Sequence, residues 1–89
     1  MKSSKLRTGS KVIVAWEDPE QRQWYGCPSG VVEGFDRNTS LYAVRHNDKG
    51  ISYVLYYARP ELAATLSEKL KLKAENNKII QGIIKLWNI

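Results

Sequence analysis

Between Lys11 and Tyr57 the chain carries four short β-prone runs in close succession. They are Val12-Ile13-Val14-Ala15-Trp16, Gly30-Val31-Val32-Glu33-Gly34-Phe35, Leu41-Tyr42-Ala43-Val44-Arg45 and Ile51-Ser52-Tyr53-Val54-Leu55-Tyr56-Tyr57. β-branched and aromatic side chains fit a pleated, half-buried surface, and turn-forming residues separate the runs. Gly9-Ser10 opens the series and Arg59-Pro60-Glu61-Leu62 closes it. Such spacing predicts a small curled antiparallel sheet or barrel of four to five strands. A C-terminal helix or bent helix pair is expected after it, so the fold class is mainly β with C-terminal α.

Eighty-nine residues suit a single domain with one hydrophobic core. A hydrophobic share of 43% with 26% charged residues argues for a globular chain and against disorder. No apolar stretch reaches the roughly 20 residues that span a bilayer, so no membrane partner is expected. The basic start, Met1 to Arg7, lacks the apolar segment of a secretory signal. A single cysteine, Cys27, cannot close an internal disulfide and fits a reducing compartment. The expected location is cytoplasmic.

A net charge of +5 is distributed unevenly. Residues 1–11 hold four cations and no acid; residues 12–60 hold five cations against six acids; residues 61–89 hold five against three. The expected barrel is thus nearly neutral, and the basic character sits in an N-terminal arm (residues 1–8) and a C-terminal helical extension (residues 63–89), with the barrel over 9–62.

Strand 1 is expected at about 11–16, strand 2 at 30–35, strand 3 at 40–46 and strand 4 at 51–57. Residues 17–29 are expected as a long polar loop that nonetheless carries Trp24 and Tyr25. Asp36 to Thr39 and Asn47 to Gly50 are expected turns. Pro60 and Glu61 suit the first turn of a helix running to about Glu75, with Leu62, Ala63, Leu66, Leu70 and Ala74 as its docking stripe. Asn76-Asn77 weakens that helix, and the apolar spacing resumes on a different face over 79–89. Either the chain bends there, or the last segment packs on another surface.

The stretch 9–62 resembles the SH3-like small-barrel superfold, in particular its Tudor, KOW and photosystem-subunit-E-like branches. The resemblance rests on Gly9-Ser10-Lys11-Val12-Ile13-Val14, Trp24-Tyr25 before Gly30-Val31-Val32, Tyr42-Ala43-Val44-Arg45 with Asp48-Lys49-Gly50, Tyr53-Val54 and Pro60-Glu61-Leu62. It implies that the loop after strand 1 and the strand 3–4 turn meet at one rim, where rings form a cage or groove. Carried over by position, Trp16, Trp24, Tyr25, Tyr42 and Tyr53 are the rim candidates, with Asp48 beside them for a cation. Against this stands the plainer reading that many of these rings fill a small core.

The expected function is therefore a non-enzymatic binding or adaptor module that takes a protein or peptide ligand. A nucleic-acid-binding barrel is the alternative, using Lys2, Lys5, Arg7, Lys11 and Arg45 to neutralise phosphates. Catalysis is not expected: His46 and Cys27 have no evident partner in sequence. Neither a metal nor any other cofactor is expected, because ligand-type residues do not cluster. Finally, Ile79, Ile80, Ile83, Ile84 and Trp87 offer more apolar surface than a helix docked on one side needs, which favours a homodimer through this segment.

Overall fold

The computed structural model describes residues 5–87, with side chains described through Lys78 and at Gln81 and Gly82. It shows a five-stranded antiparallel sheet followed by a C-terminal helix. The strands are β1 (Lys11–Val14), β2 (Ser29–Asp36), β3 (Leu41–Asp48), β4 (Ile51–Tyr57) and β5 (Leu62–Ala63), in the spatial order β4-β3-β2-β1-β5. β2, β3 and β4 form a meander, because each is joined to the next by a tight turn. Lys49-Gly50 alone connects Asp48 to Ile51, with φ of 50° and 82°. Two left-handed residues make the hairpin turn whose twist matches that of the flanking strands. The register of β2 on β3 shifts between Val32 and Gly34, a bulge that bends β2 and curls the sheet.

Period-two alternation builds the core. Val12, Val14, Val32, Tyr42, Val44 and Tyr57 turn to the inner face, where Leu62 of β5 joins them, and all are buried. Burial of each such side chain contributes roughly 1.5–3 kcal/mol. Leu6 and Trp16 pack against this cluster from outside the strands. Gly30 of β2 lies close against β3: a Cβ there would come within 2.5 Å of Val44 Cγ1 and 2.8 Å of the Arg45 carbonyl oxygen. No side chain fits there.

The segment expected as a loop over 17–29 contains a helix, α1 (Pro19–Tyr25). Asp18 starts it: its carboxylate accepts the Glu20 N–H at 2.9 Å, and Pro19 supplies a preset first-turn φ. Gly26, at φ 70°, ends it, with its N–H bonded to the Arg22 carbonyl. The expected helix start at Pro60 is also revised. Arg59–Glu61 is a single 3-10 turn, Leu62–Ala63 pairs with β1, and α2 (Leu66–Trp87) begins only afterwards. Thr65 and Glu68 fix that start reciprocally: the Thr65 hydroxyl accepts the Glu68 N–H, and the Glu68 carboxylate accepts the Thr65 N–H.

Moving the start to Leu66 changes which face docks. Leu66 and Leu70 are 75% and 58% exposed, while Leu72 is buried and Glu68, Lys69, Glu75 and Asn76 are half-buried. Among the described residues the docking contacts are mostly polar. Arg22 pairs with Glu75 at 2.7 Å, Arg59 with Glu68 at 3.0 Å, and the Asn76 amide donates to Cys27 Sγ at 3.0 Å. α2 runs unbroken through Asn76-Asn77, so of the two alternatives the bend is absent. A helix cost of a fraction of a kcal/mol per Asn is offset by the contact Asn76 makes. Among the described residues, no helix is long and apolar enough to cross a membrane.

Candidate functional site

An open groove of about 680 Å³ lies where α1, the end of β3 and one face of β4 converge. Its walls carry Trp16, Tyr25, Tyr53 and Leu55, its floor His46 and Tyr57, and its rim Gln21, Asn47 and Asp48. Four of the rim candidates thus come together: Trp16, Tyr25, Asp48 and Tyr53. Among the described residues, Asp48 is the only charged one of the lining.

α1 makes this convergence. Trp16 follows β1 and is held at both ends: its indole N–H donates to the Gly26 carbonyl at 3.0 Å, and its own carbonyl accepts from Arg22 Nε at 2.5 Å. One helical turn between these anchors brings Tyr25 to within 6.3 Å of the Trp16 ring, centroid to centroid. Trp16 in turn meets Tyr57 edge-on at 5.6 Å, and Tyr53 stacks on His46 at 5.3 Å. The result is a continuous chain of rings, Tyr25–Trp16–Tyr57–His46–Tyr53, of which only the terminal members are widely exposed.

The floor is fixed by hydrogen bonds. His46, 2% exposed, has Nδ1 at 2.8 Å from the Ser29 carbonyl oxygen and Nε2 at 2.8 Å from the Tyr57 hydroxyl. A carbonyl only accepts, so Nδ1 carries a proton, and in the neutral ring Nε2 accepts from Tyr57. Burial pushes the Tyr57 phenol up to about 12, with Tyr53 and Glu61 adding to the effect, so it keeps that proton at neutral pH. No buried side-chain nitrogen or oxygen lacks a partner among the described residues. Neither His46 nor Tyr57 carried a binding expectation from sequence. The signal for His46 was its place in the inward-facing alternation Tyr42, Val44, His46.

The remaining candidates lie elsewhere. Tyr42 is a core residue, 6% exposed, with its ring 4.7 Å from Phe35 and its hydroxyl accepting the Leu6 N–H. Inward alternation along β3 puts it there, away from the rim, and this corrects its expected place. Trp24 is 72% exposed on α1 but does not line the groove: neighbouring positions on a helix point about 100° apart, and Tyr25 takes the groove side.

The basic candidates are divided. Lys2 lies outside the described residues. Lys5 sits with Arg37 beside Tyr42, and Arg7 is exposed. Lys11, Arg45 and Lys69 border a separate shallow depression. Arg45 is already engaged: its guanidinium pairs with Glu33 and donates to Ser52 Oγ at 2.7 Å. The Glu33 hydrogen bond and charge raise its already high pKa. The side chains of Ile79, Ile80, Ile83, Ile84 and Trp87, expected at an oligomer interface, lie outside the described residues. Compared with family models, with curated proteins and with solved structures, the chain matches none.

Proposed function

We propose that this chain is a non-enzymatic binding module of the SH3-like small-barrel kind that holds a segment of another protein in the aromatic groove. One observation carries the reading: Trp16, Tyr25 and Tyr53 line one open groove over a floor whose polar atoms are already satisfied. A fixed floor leaves the groove to recognise by shape and ring contact. Rings of this kind are the usual anchors of protein interfaces, since they offer large area at little entropic cost. The strand order and the turn before β5 support the barrel assignment, and the lone Cys27 supports a cytoplasmic setting.

Panning a displayed random-peptide library against the native protein tests this. Enriched peptides should lose binding to Tyr25→Ala and Tyr53→Ala proteins, keep binding to Trp24→Ala, and respond weakly to salt. Enrichment of no peptide, or of peptides indifferent to Tyr25 and Tyr53, would sink the reading.

A second reading is favoured by one specific observation, the shared depression of Lys11, Arg45 and Lys69. As a nucleic-acid site it should bind DNA or RNA at low salt. Its affinity should fall with a log–log slope of about 0.9 for each duplex phosphate contacted. The Arg45–Glu33 pair weakens this reading, because it neutralises one of the three cations where they converge. No measurable nucleic-acid binding at low salt would dispose of it.

A further inference from the structure

The two outer strands of the sheet are protected very differently. β5 is two residues long and lies next to α2. β4 is seven residues long, ends the sheet on the other side, and has no charge, no proline and no register shift against β3. Edge strands in soluble proteins are usually blunted by lysine, proline, a bulge or a cover, because their open backbone groups recruit another strand. Among the described residues β4 has none of these devices.

The register identifies which groups are open. The pair flanking a two-residue turn exchanges both backbone hydrogen bonds, and bonded pairs then alternate along the ladder. Asp48–Ile51, His46–Tyr53, Val44–Leu55 and Tyr42–Tyr57 are thus the bonded pairs. Ser52, Val54 and Tyr56 direct their N–H and C=O groups away from β3, at the open edge.

We infer that this edge pairs antiparallel with β4 of a second copy of the chain, about a two-fold axis at Val54. Strand β4 is its own complement in that register. Val54 meets Val54 and Ser52 meets Tyr56, each pair exchanging both backbone bonds. On the groove face Tyr53 meets Leu55 in the closer, non-bonded pairing, an aromatic–aliphatic match made twice by symmetry. No charge opposes a like charge along the strand, despite the chain's net +5. A foreign strand would need to supply this match independently, whereas a second copy brings it by identity. The dimer has a consequence for the groove. Tyr53 and Leu55 line it, so pairing sets Leu55 of the second copy beside Tyr53 and joins two grooves into one continuous face. The inference stands on β4 itself and holds whether or not the groove takes a peptide.

Sedimentation velocity of the full chain at high micromolar concentration should show a dimer. Val54→Pro removes the central outward N–H while leaving the β3–β4 bonds intact, since Val54 donates none of them. Val54→Lys sets two ammonium groups face to face. Each change acts twice across the axis and should weaken association roughly tenfold or more. Mixing Val54→Lys with Val54→Glu protein should restore association as a heterodimer. Should Val54→Pro fail to fold by circular dichroism, the Lys and Glu variants decide alone. A monomeric native chain overturns the proposal. So does a dimer that both Val54→Lys and the mixed pair leave unchanged. So too does a dimer lost only when the chain is ended at Asn77, which would place the contact on α2 instead.

Discussion

The Nε2 atom of His46 lies 2.8 Å from the Tyr57 hydroxyl, in a part of the core where His46 is almost fully excluded from solvent. That contact joins β3 to β4 through side chains as well as backbone, and it seals the floor of the groove. Replacing Tyr57 by Phe keeps the ring and removes only the hydroxyl. The ring nitrogen is then buried without a donor, which costs about 1–3 kcal/mol. The urea midpoint of Tyr57→Phe should fall accordingly while the native spectrum is retained; an unchanged midpoint would show that the bond contributes nothing.

The same hydroxyl predicts alkaline behaviour. Its pKa rises from 10.0 to about 12 in the folded chain, burial being the main cause. A raised folded-state value means that the stabilisation is fully present below pH 10 and is lost as pH climbs through 12. Stability measured across that window should decline for the native chain, and the decline should be shallower for Tyr57→Phe. Equal slopes would contradict the assignment.

Acid acts instead at the start of α2. Burial opposes the Glu68 carboxylate, but the Arg59 hydrogen bond and the N–H groups of Thr65 and Ala64 outweigh it and hold its pKa down at about 2. With the folded value depressed below the ordinary 4.5, the stabilisation is present above pH 4.5 and disappears as pH falls through 2. Glu68 is partly exposed, so solvent screens part of the effect. Circular dichroism at 222 nm should report loss of α2 over this window in the native chain. In Glu68→Gln, which already lacks the charge, the dependence should be flatter.

Gly30→Ala tests the close approach of β2 to β3. Its Cβ would have to displace Val44 Cγ1 and the Arg45 carbonyl, and backbone of a central strand does not yield cheaply. Overpacking of this kind costs typically about 1–3 kcal/mol. Gly34→Ala, on the same strand and with open space around its Cβ, is the control and should cost much less. Chemical denaturation of the two variants side by side settles the comparison.

The strands were readable because alternation and turn chemistry agreed along 11–57. Val12, Val14, Val32 and Val44 each fall inward where period two puts them, and the β4 limits match the expected ones. The helices were read less well, although their start signals are present. Asp18-Pro19-Glu20 opens α1, and Thr65 with Glu68 three residues later opens α2. Pro60 competed with the second signal: its fixed φ suits a 3-10 turn as well as an α-helix, and pairing of Leu62 with Val14 captured the residues that follow. Of the groove lining, Trp16, Tyr25, Asp48 and Tyr53 could be named from the sequence, whereas Tyr42 and Trp24 were not distinguishable from them. Which way a ring points depends on strand parity and helix phase, and both hinge on boundaries accurate to one residue. His46 and Tyr57 were hidden for a different reason: their partnership crosses two strands and exists only once the sheet is registered.

Pairing of β5 with β1 carries a consequence for the order in which the chain assembles. β2, β3 and β4 are successive hairpins whose closing loops span two to four residues, so their contacts are local and quick to form. By contrast, Ile13 finds Ala63 and Val14 finds Leu62 only after the whole meander has been synthesised between them. During translation β1 can dock on β2 long before its other edge has a partner. The last event that completes the sheet therefore depends on two residues, Leu62 and Ala63, and every helix contact that follows them waits on their arrival.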